Sequence, residues 1–271
     1  MKIVRSLLLI LFGYTLLTAE PGNSQIWVGS DDFQGSQINT SLWTTNVASI
    51  QNATVYVNNG LKYSSTSEIT EENAYLTWAN LLPKNDNWTI YADGFVNKNA
   101  TQNSNQKLSV SLYLSSYFQA IGDSDYINNR QMFGIKIISD VQGTKFTAAS
   151  SSNATAGSWT LFKSPFISNQ NGAFALNYSS SDNTLSAWYN PTDNIKDLNK
   201  MLKLAEVNIQ DWKIQNNSAS YYAILGGQSE SVQTFGLDAY ATSFIVIPEP
   251  SALSLLAVGL GGWAMMRRRR S

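Results

Sequence analysis

The chain has 271 residues, of which 43% are hydrophobic and 14% charged, with 13 Tyr, 8 Trp, no Cys and no His. That length can bury one good-sized core; the absent cysteine excludes disulfide staples, and the absent histidine removes the commonest general base and metal ligand. The net charge is −1, but Lys2, Arg5, Arg267, Arg268, Arg269 and Arg270 lie at the two ends, so the middle is mildly acidic and would repel a nucleic-acid backbone.

The chain opens "MKIVRSLLLILFGYTLLTAEPGNSQ". A positive start at Lys2 and Arg5 precedes an apolar run from Ser6 to Leu17, the size of a signal-peptide core and short of a full membrane span. Gly22 and Ser24 are small residues two apart, so residues 1–24 read as a signal peptide cleaved after Ser24, with Ala19 as the alternative. A buried N-terminal helix is the plainer alternative, and the charged flank argues against it.

Residues 25–246 read as short strands between turns. Strands are expected near 26–33, 74–80, 88–97, 145–150, 159–163, 221–226 and 234–246. "ATVYVNNGLKYSS" reads as a hairpin, with Asn59-Gly60 suited to the φ > 0 positions of a type I′ turn. "KLSVSLYLSS" alternates strictly. Leu108, Val110, Leu112 and Leu114 point one way and Ser109, Ser111 and Tyr113 the other, which predicts a strand with one buried face. "MFGIKIIS" repeats the pattern with Phe133, Ile135 and Ile137. "GAFALNYSSSDNTLSAWYN" reads as a second hairpin turning at Asp182-Asn183. One short helix is expected over 196–205, where Leu198, Met201, Leu202 and Leu204 fall near helical spacing. Many strands and one helix predict an all-β fold, a β-sandwich or jelly roll, and exclude a βαβ layout.

The end, "VIPEPSALSLLAVGLGGWAMMRRRRS", has a different logic. Ser251 to Met266 would make a helix about 24 Å long, just short of a ~30 Å hydrocarbon core. Arg267 to Arg270 would stay cytoplasmic by the positive-inside rule. Pro248 and Pro250 stop the helix from extending outward, leaving Pro248-Glu249-Pro250 extended and accessible at the outer membrane face. The triplet, the apolar run and the arginines together resemble the PEP-CTERM protein-sorting signal over about the last 25 residues. The resemblance implies a partner, an exosortase-type membrane cysteine transpeptidase. It also implies a transient inner-membrane anchor and delivery to the surface or to exopolysaccharide of a Gram-negative cell. An ordinary single-span anchor is the simpler alternative, but does not require the triplet. The chain thus divides into a signal peptide (1–24), a sandwich (25–246) and a sorting tail (247–271).

The middle also resembles the concanavalin A-like lectin/glucanase sandwich. "DDFQGSQINTSLWT" (31–44), "NNGLKYSS" (58–65) and "GLDAYATSFIV" (236–246) resemble that superfamily's opening strand, early hairpin and closing strand. The resemblance implies that a glucanase would carry Glu-x-Asp-x-Glu on one strand face. No such triplet occurs. The nearest cluster, Glu68, Glu71 and Glu72 in "SEITEENAY", lacks the spacing and the Asp, and reads as a solvated loop.

Serine-acylase signatures can be matched on paper at Ser104-Asn105-Gln106-Lys107 and Ser181-Asp182-Asn183. The first leads into a strand rather than a helix, the second lies in a turn, and no K-T-G follows. Asp123-Ser124-Asp125 could contribute to a calcium site but lacks the remaining ligands, so a polar loop is the reading and no cofactor is expected. Sugar stacking on aromatic faces is the sharper possibility. Trp78 and Trp88 are in phase with core residues. Tyr91, Tyr113 and Trp188 point opposite to theirs and are the candidate glycan-stacking residues if one sheet face is open; strand decoration or cover by a loop is the plainer account. The expectation is an exported, non-enzymatic surface or matrix protein. A carbohydrate-binding module and a divergent glycoside hydrolase are the alternatives.

Overall fold

The computed structural model describes residues 28–46, 52–66, 71–116, 131–151, 159–162, 164–191, 197–212 and 220–249. Signal peptide, apolar tail, Arg267 to Arg270, Pro250, Glu68 and Asp123-Ser124-Asp125 lie outside the described residues. The elements are β1 (Gly29–Asp31), β2 (Trp43–Asn46), β3 (Ala53–Val57), β4 (Leu61–Ser65), β5 (Glu71–Trp78), β6 (Leu82–Pro83), β7 (Trp88–Val96), β8 (Lys107–Ser115), β9 (Met132–Asp140), β10 (Gly143–Ser151), β11 (Trp159–Leu161), β12 (Phe166–Ile167), β13 (Asn171–Ser179), β14 (Thr184–Asn190), β15 (Leu202–Asn208), β16 (Ser220–Glu230), β17 (Thr234–Ala241) and β18 (Phe244–Pro248). Two 3₁₀ turns, Lys98–Ala100 and Leu198–Lys200, are the helical segments among the described residues.

Alternating apolar residues need two layers to bury them, and the strands form two nine-stranded antiparallel sheets. The first runs β15-β14-β13-β7-β17-β4-β3, with β18 also beside β7 and β1 beside β18. The second runs β11-β10-β9-β8-β16-β5-β2, with β12 beside β10 and β6 beside β16. The predicted inner residues meet between them. Leu108, Leu112, Leu114, Phe133, Ile135 and Ile137 of the second sheet are fully buried, as are Ile90, Phe174, Leu176 and Leu185 of the first. Trp43 packs edge-on against both Trp78 and Phe244. Trp88 stacks on Tyr178 at the other cluster of rings, and Trp78 and Trp88 are core as expected.

Four expectations need correction. The helix expected over 196–205 is a single 3₁₀ turn, its first N–H groups capped by Asp197, followed by strand β15. The edge of β14 offers backbone partners along Leu202–Asn208, and pairing there outweighs the helical spacing of the leucines. The strand expected over 234–246 is two strands, broken at Thr242-Ser243. Asp93, only 4% exposed, fixes that break: it accepts from Thr242 N at 2.6 Å, from Ser243 N and Ser243 Oγ at 3.0 Å each, and from Thr242 Oγ1. β8 is buried on both faces, since Ser109 and Ser111 are as enclosed as the leucines. Glu71 and Glu72 open strand β5 rather than a loop, and Glu72 is fully buried opposite Ser229. Asn59 and Gly60 do take positive φ, 47° and 132°, but the ladder stops at Val57–Leu61, so the loop spans 58–60.

Candidate functional site

β18 does not end where the sandwich was expected to end. It continues past Val246, pairing Ile247 with Thr89 and Pro248 with Trp88. The next residue stays attached: Glu249 N donates to Asn87 O at 3.1 Å. Its carboxylate lies on the outer face of the first sheet. Glu249 Oε1 accepts from Thr89 Oγ1 at 3.0 Å and from Asn177 Nδ2 in a short contact, while Asn177 Nδ2 also donates to Thr89 Oγ1 at 3.0 Å. Pro248-Glu249 is therefore docked on the domain rather than extended free of it. The docking follows from strand parity. Thr89 alternates with Trp88 and Ile90, and Asn177 with Leu176 and Tyr178; those neighbours are buried inward, so both polar side chains point out. Sheet register then sets Ser186, Asn177, Thr89 and Ile247 side by side on four adjacent strands. Asn87 braces the same corner, its Oδ1 accepting from Ser180 N at 2.8 Å and Ser180 Oγ at 2.7 Å.

The next row of that face carries two of the predicted stacking residues. Trp188 and Tyr91 flank Ala175, each directly opposite it in the ladder. Tyr91 is only 6% exposed, packed with Ala173, Ala175 and Met201, with Leu198 against the cluster. Burial pushes its phenol pKa up. Trp188 is half-buried; its Nε1 donates to Ser186 Oγ at 2.8 Å, and Lys203 Nζ lies 5.5 Å from its ring. Ser186 Oγ in turn lies 3.5 Å from Asn177 Oδ1, so a polar line runs from Trp188 to Glu249. The 3₁₀ turn that replaced the expected helix is what covers these rings.

Tyr113 belongs elsewhere. It sits on the outer face of the second sheet with Met132, Ile224 and Tyr75, also 6% exposed. Tyr91, Tyr113 and Trp188 therefore do not line one face, and neither tyrosine presents an open ring. Parity within a strand says which residues share a side, but not which sheet the strand joins.

That second outer face has its own polar floor. The hydroxyls of Ser109 and Ser111 are buried with no hydrogen-bond partner. Above their strand Lys136 Nζ donates to Gln228 Oε1 at 3.2 Å, linking β9 to β16. Tyr113 lies against Gly134 and Tyr75 against Gly226, where a Cβ would collide with each ring. The two rings meet edge to face at 6.3 Å. Between the sheets, a cavity of about 10 Å³ lined by Val55, Tyr63, Val110 and Tyr240 has room for one water at most.

The remaining candidates are placed plainly. Lys107 opens strand β8 and pairs with Glu230 at 2.6 Å, and Ser181-Asp182-Asn183 forms the β13–β14 turn, where Asn183 has φ 54°. Among the described residues no three Asp or Glu side chains converge as metal ligands, and no helix is long and apolar enough to cross a membrane.

Residues 246–270 match the PEP-CTERM protein-sorting motif. The match begins on the last buried residue of β18, Val246, so sandwich and motif overlap. No curated protein sequence matches the chain. The sandwich is similar to lectin folds. Lectin II from Ulex europaeus superposes with a TM-score of 0.50 over 84% of this chain and 100% of that one, at 8% identity. A lectin, UEA-II, complexed with galactose gives 0.51 over 84% and 100%, at 7% identity. An immunostimulatory antigen and pseudo β-1,3-glucanase of Mycobacterium tuberculosis gives 0.50 over 82% and 99%, at 10% identity. At these identities the likeness is one of fold.

Proposed function

We propose that this is an exported, non-enzymatic protein of the cell surface or extracellular matrix, delivered by its sorting tail and left outside as a lectin-like sandwich. The observation that carries the reading is the sorting-motif match at 246–270, running directly out of the closing strand of the sandwich. The tail would be taken by an exosortase-type membrane transpeptidase. The non-enzymatic part is supported by the acidic residues. Glu-x-Asp-x-Glu is absent from the sequence, and Glu72 is enclosed at the start of β5 rather than set in a cleft. Replacing Pro248-Glu249-Pro250 with alanines should leave the precursor in the inner membrane. Mass spectrometry of the released wild-type protein should find the C-terminal arginines gone. Release of the alanine variant at the wild-type level, or a released form still carrying Arg270, would end this reading.

A second reading is carbohydrate binding, favoured by the outer face of the second sheet rather than by Tyr91 and Trp188. Two partnerless hydroxyls, Ser109 and Ser111, lie beneath the Lys136–Gln228 contact and beside the flat rings of Tyr113 and Tyr75. Sugar hydroxyls that displaced the Lys136–Gln228 contact would satisfy the two serines, and an apolar sugar face suits the half-buried ring of Tyr75. A glycan array on residues 25–249 tests it: Ser111→Val should abolish any binding and Trp188→Ala should leave it intact. Binding lost only with Trp188→Ala would move the site back to the first sheet.

A further inference from the structure

We propose that the folded sandwich latches the sorting motif, and that the end of β18 must peel from β7 before a membrane enzyme can take Pro248-Glu249-Pro250. The inference rests on the sorting role proposed above. An enzyme that reads a peptide needs its backbone and side chains free to bind as an extended segment. Here Pro248 is in ladder register with Trp88, the Glu249 N–H is occupied by Asn87 O, and the Glu249 carboxylate is occupied by Thr89 and Asn177. Slack cannot solve the problem. Only Pro250 separates Glu249 from the apolar run that begins at Ser251, and one extended residue spans about 3.3 Å.

The strand is arranged to release at one end only. Its first half is fixed: Phe244 is fully buried against Trp43 and Trp78, Val246 is buried, and Asp93 holds the turn before them. Its last half is held lightly. Ile247 is 40% exposed, Pro248 is exposed, and neither adds a side chain to the core. A break after Val246 frees residues 247–250, a reach of about 13 Å at 3.3 Å per residue, with the sandwich otherwise intact. The latch is then Glu249 on Thr89 and Asn177, with the strand end beneath it. Sorting would be checked against folding in an unusual sense: a folded sandwich offers the motif only in its peeled state, whose population sets the rate of trimming.

The test is a lock. Thr89 and Ile247 are directly opposite in antiparallel strands, where Cα atoms stand about 4.5–5.5 Å apart, within disulfide range. The chain has no cysteine of its own, so the pair Thr89→Cys and Ile247→Cys has no competing partner. The full-length precursor is followed by immunoblot in inner-membrane preparations carrying the transpeptidase, with and without reductant. The oxidised double variant should not be trimmed, and reductant should restore trimming. Separately, Asn177→Ala removes one side of the latch and should speed trimming about tenfold, the low end of the factor for losing a hydrogen bond to a charged group. Trimming of the oxidised lock at the wild-type rate overturns the proposal. So does a lock that stays untrimmed after reduction while Asn177→Ala runs at the wild-type rate. The alanine replacement of the triplet reports the sorting reading on its own. If that chain is trimmed normally, the sorting reading falls and the latch with it. If it stalls while the oxidised lock is trimmed, only the latch falls.

Discussion

Replacing Asp93 by alanine removes the group that turns the chain from β17 into β18. Four donors converge on this carboxylate: the backbone N–H and hydroxyl of both Thr242 and Ser243. The hydroxyls can rotate toward other acceptors. The two N–H groups cannot, because the turn geometry fixes them. Ser243 is buried and Thr242 half-buried, so the orphaned amides cost about 2 and about 1 kcal/mol, within the 1–3 kcal/mol range for a buried unsatisfied group. Relief from burying a charge returns part of this, leaving a net loss of about 2 kcal/mol. Urea denaturation of residues 25–249, followed by tryptophan fluorescence, should show the midpoint falling by about 1 M for a slope near 2 kcal/mol/M. Asp93→Asn keeps one acceptor and should fall between. A midpoint for Asp93→Ala within about 0.2 M of wild type would refute the claim that this carboxylate holds the turn, and with it the fixed half of β18.

Other outcomes follow from the same structure. Burial raises the pKa of Tyr63 to about 12 and that of Tyr221 also upward. An unfolded tyrosine ionises near pH 10, so the stability from both phenols is complete below pH 10; that from Tyr63 drains between pH 10 and about 12, and that from Tyr221 also drains as the pH rises above 10, at about 1.4 kcal/mol per pH unit for each. Denaturation midpoints at pH 9 and pH 11 should differ accordingly, and Tyr63→Phe should shrink the difference. Gly226→Ala should destabilise the sandwich by about 2 kcal/mol, since the new Cβ would meet the Ala74 carbonyl and lie 2.7 Å from the Tyr75 Cα, both backbone atoms that cannot swing aside; thermal melting checks it. Leu112→Ala, at a fully buried position, should cost about 3 kcal/mol, whereas Leu237→Ala, 75% exposed, should change the midpoint by less than about 0.5 kcal/mol.

The sequence by itself determined the inward faces of the alternating strands. Alternation at Leu108, Val110, Leu112 and Leu114, and again at Phe133, Ile135 and Ile137, survives into the core because a pleated strand has only two sides. Asn59, Gly60 and Asn183 were legible as turn residues because few others accept positive φ. The sorting motif was legible because triplet, apolar run and arginines lie in one contiguous stretch. The two hairpins, β3 with β4 and β13 with β14, were also legible, but tertiary structure alone decided which strands distant in sequence became neighbours. It sent Tyr91 and Trp188 to one sheet and Tyr113 to the other, and enclosed Glu72. It turned Leu202–Asn208 into an edge strand, because a free ladder edge competes with local helical preference and wins. It brought Glu249 to Thr89 and Asn177, partners 160 and 72 residues away. Parity, a local property, says that those polar side chains face outward. What they meet there is set by strand order and register, which depend on every strand at once.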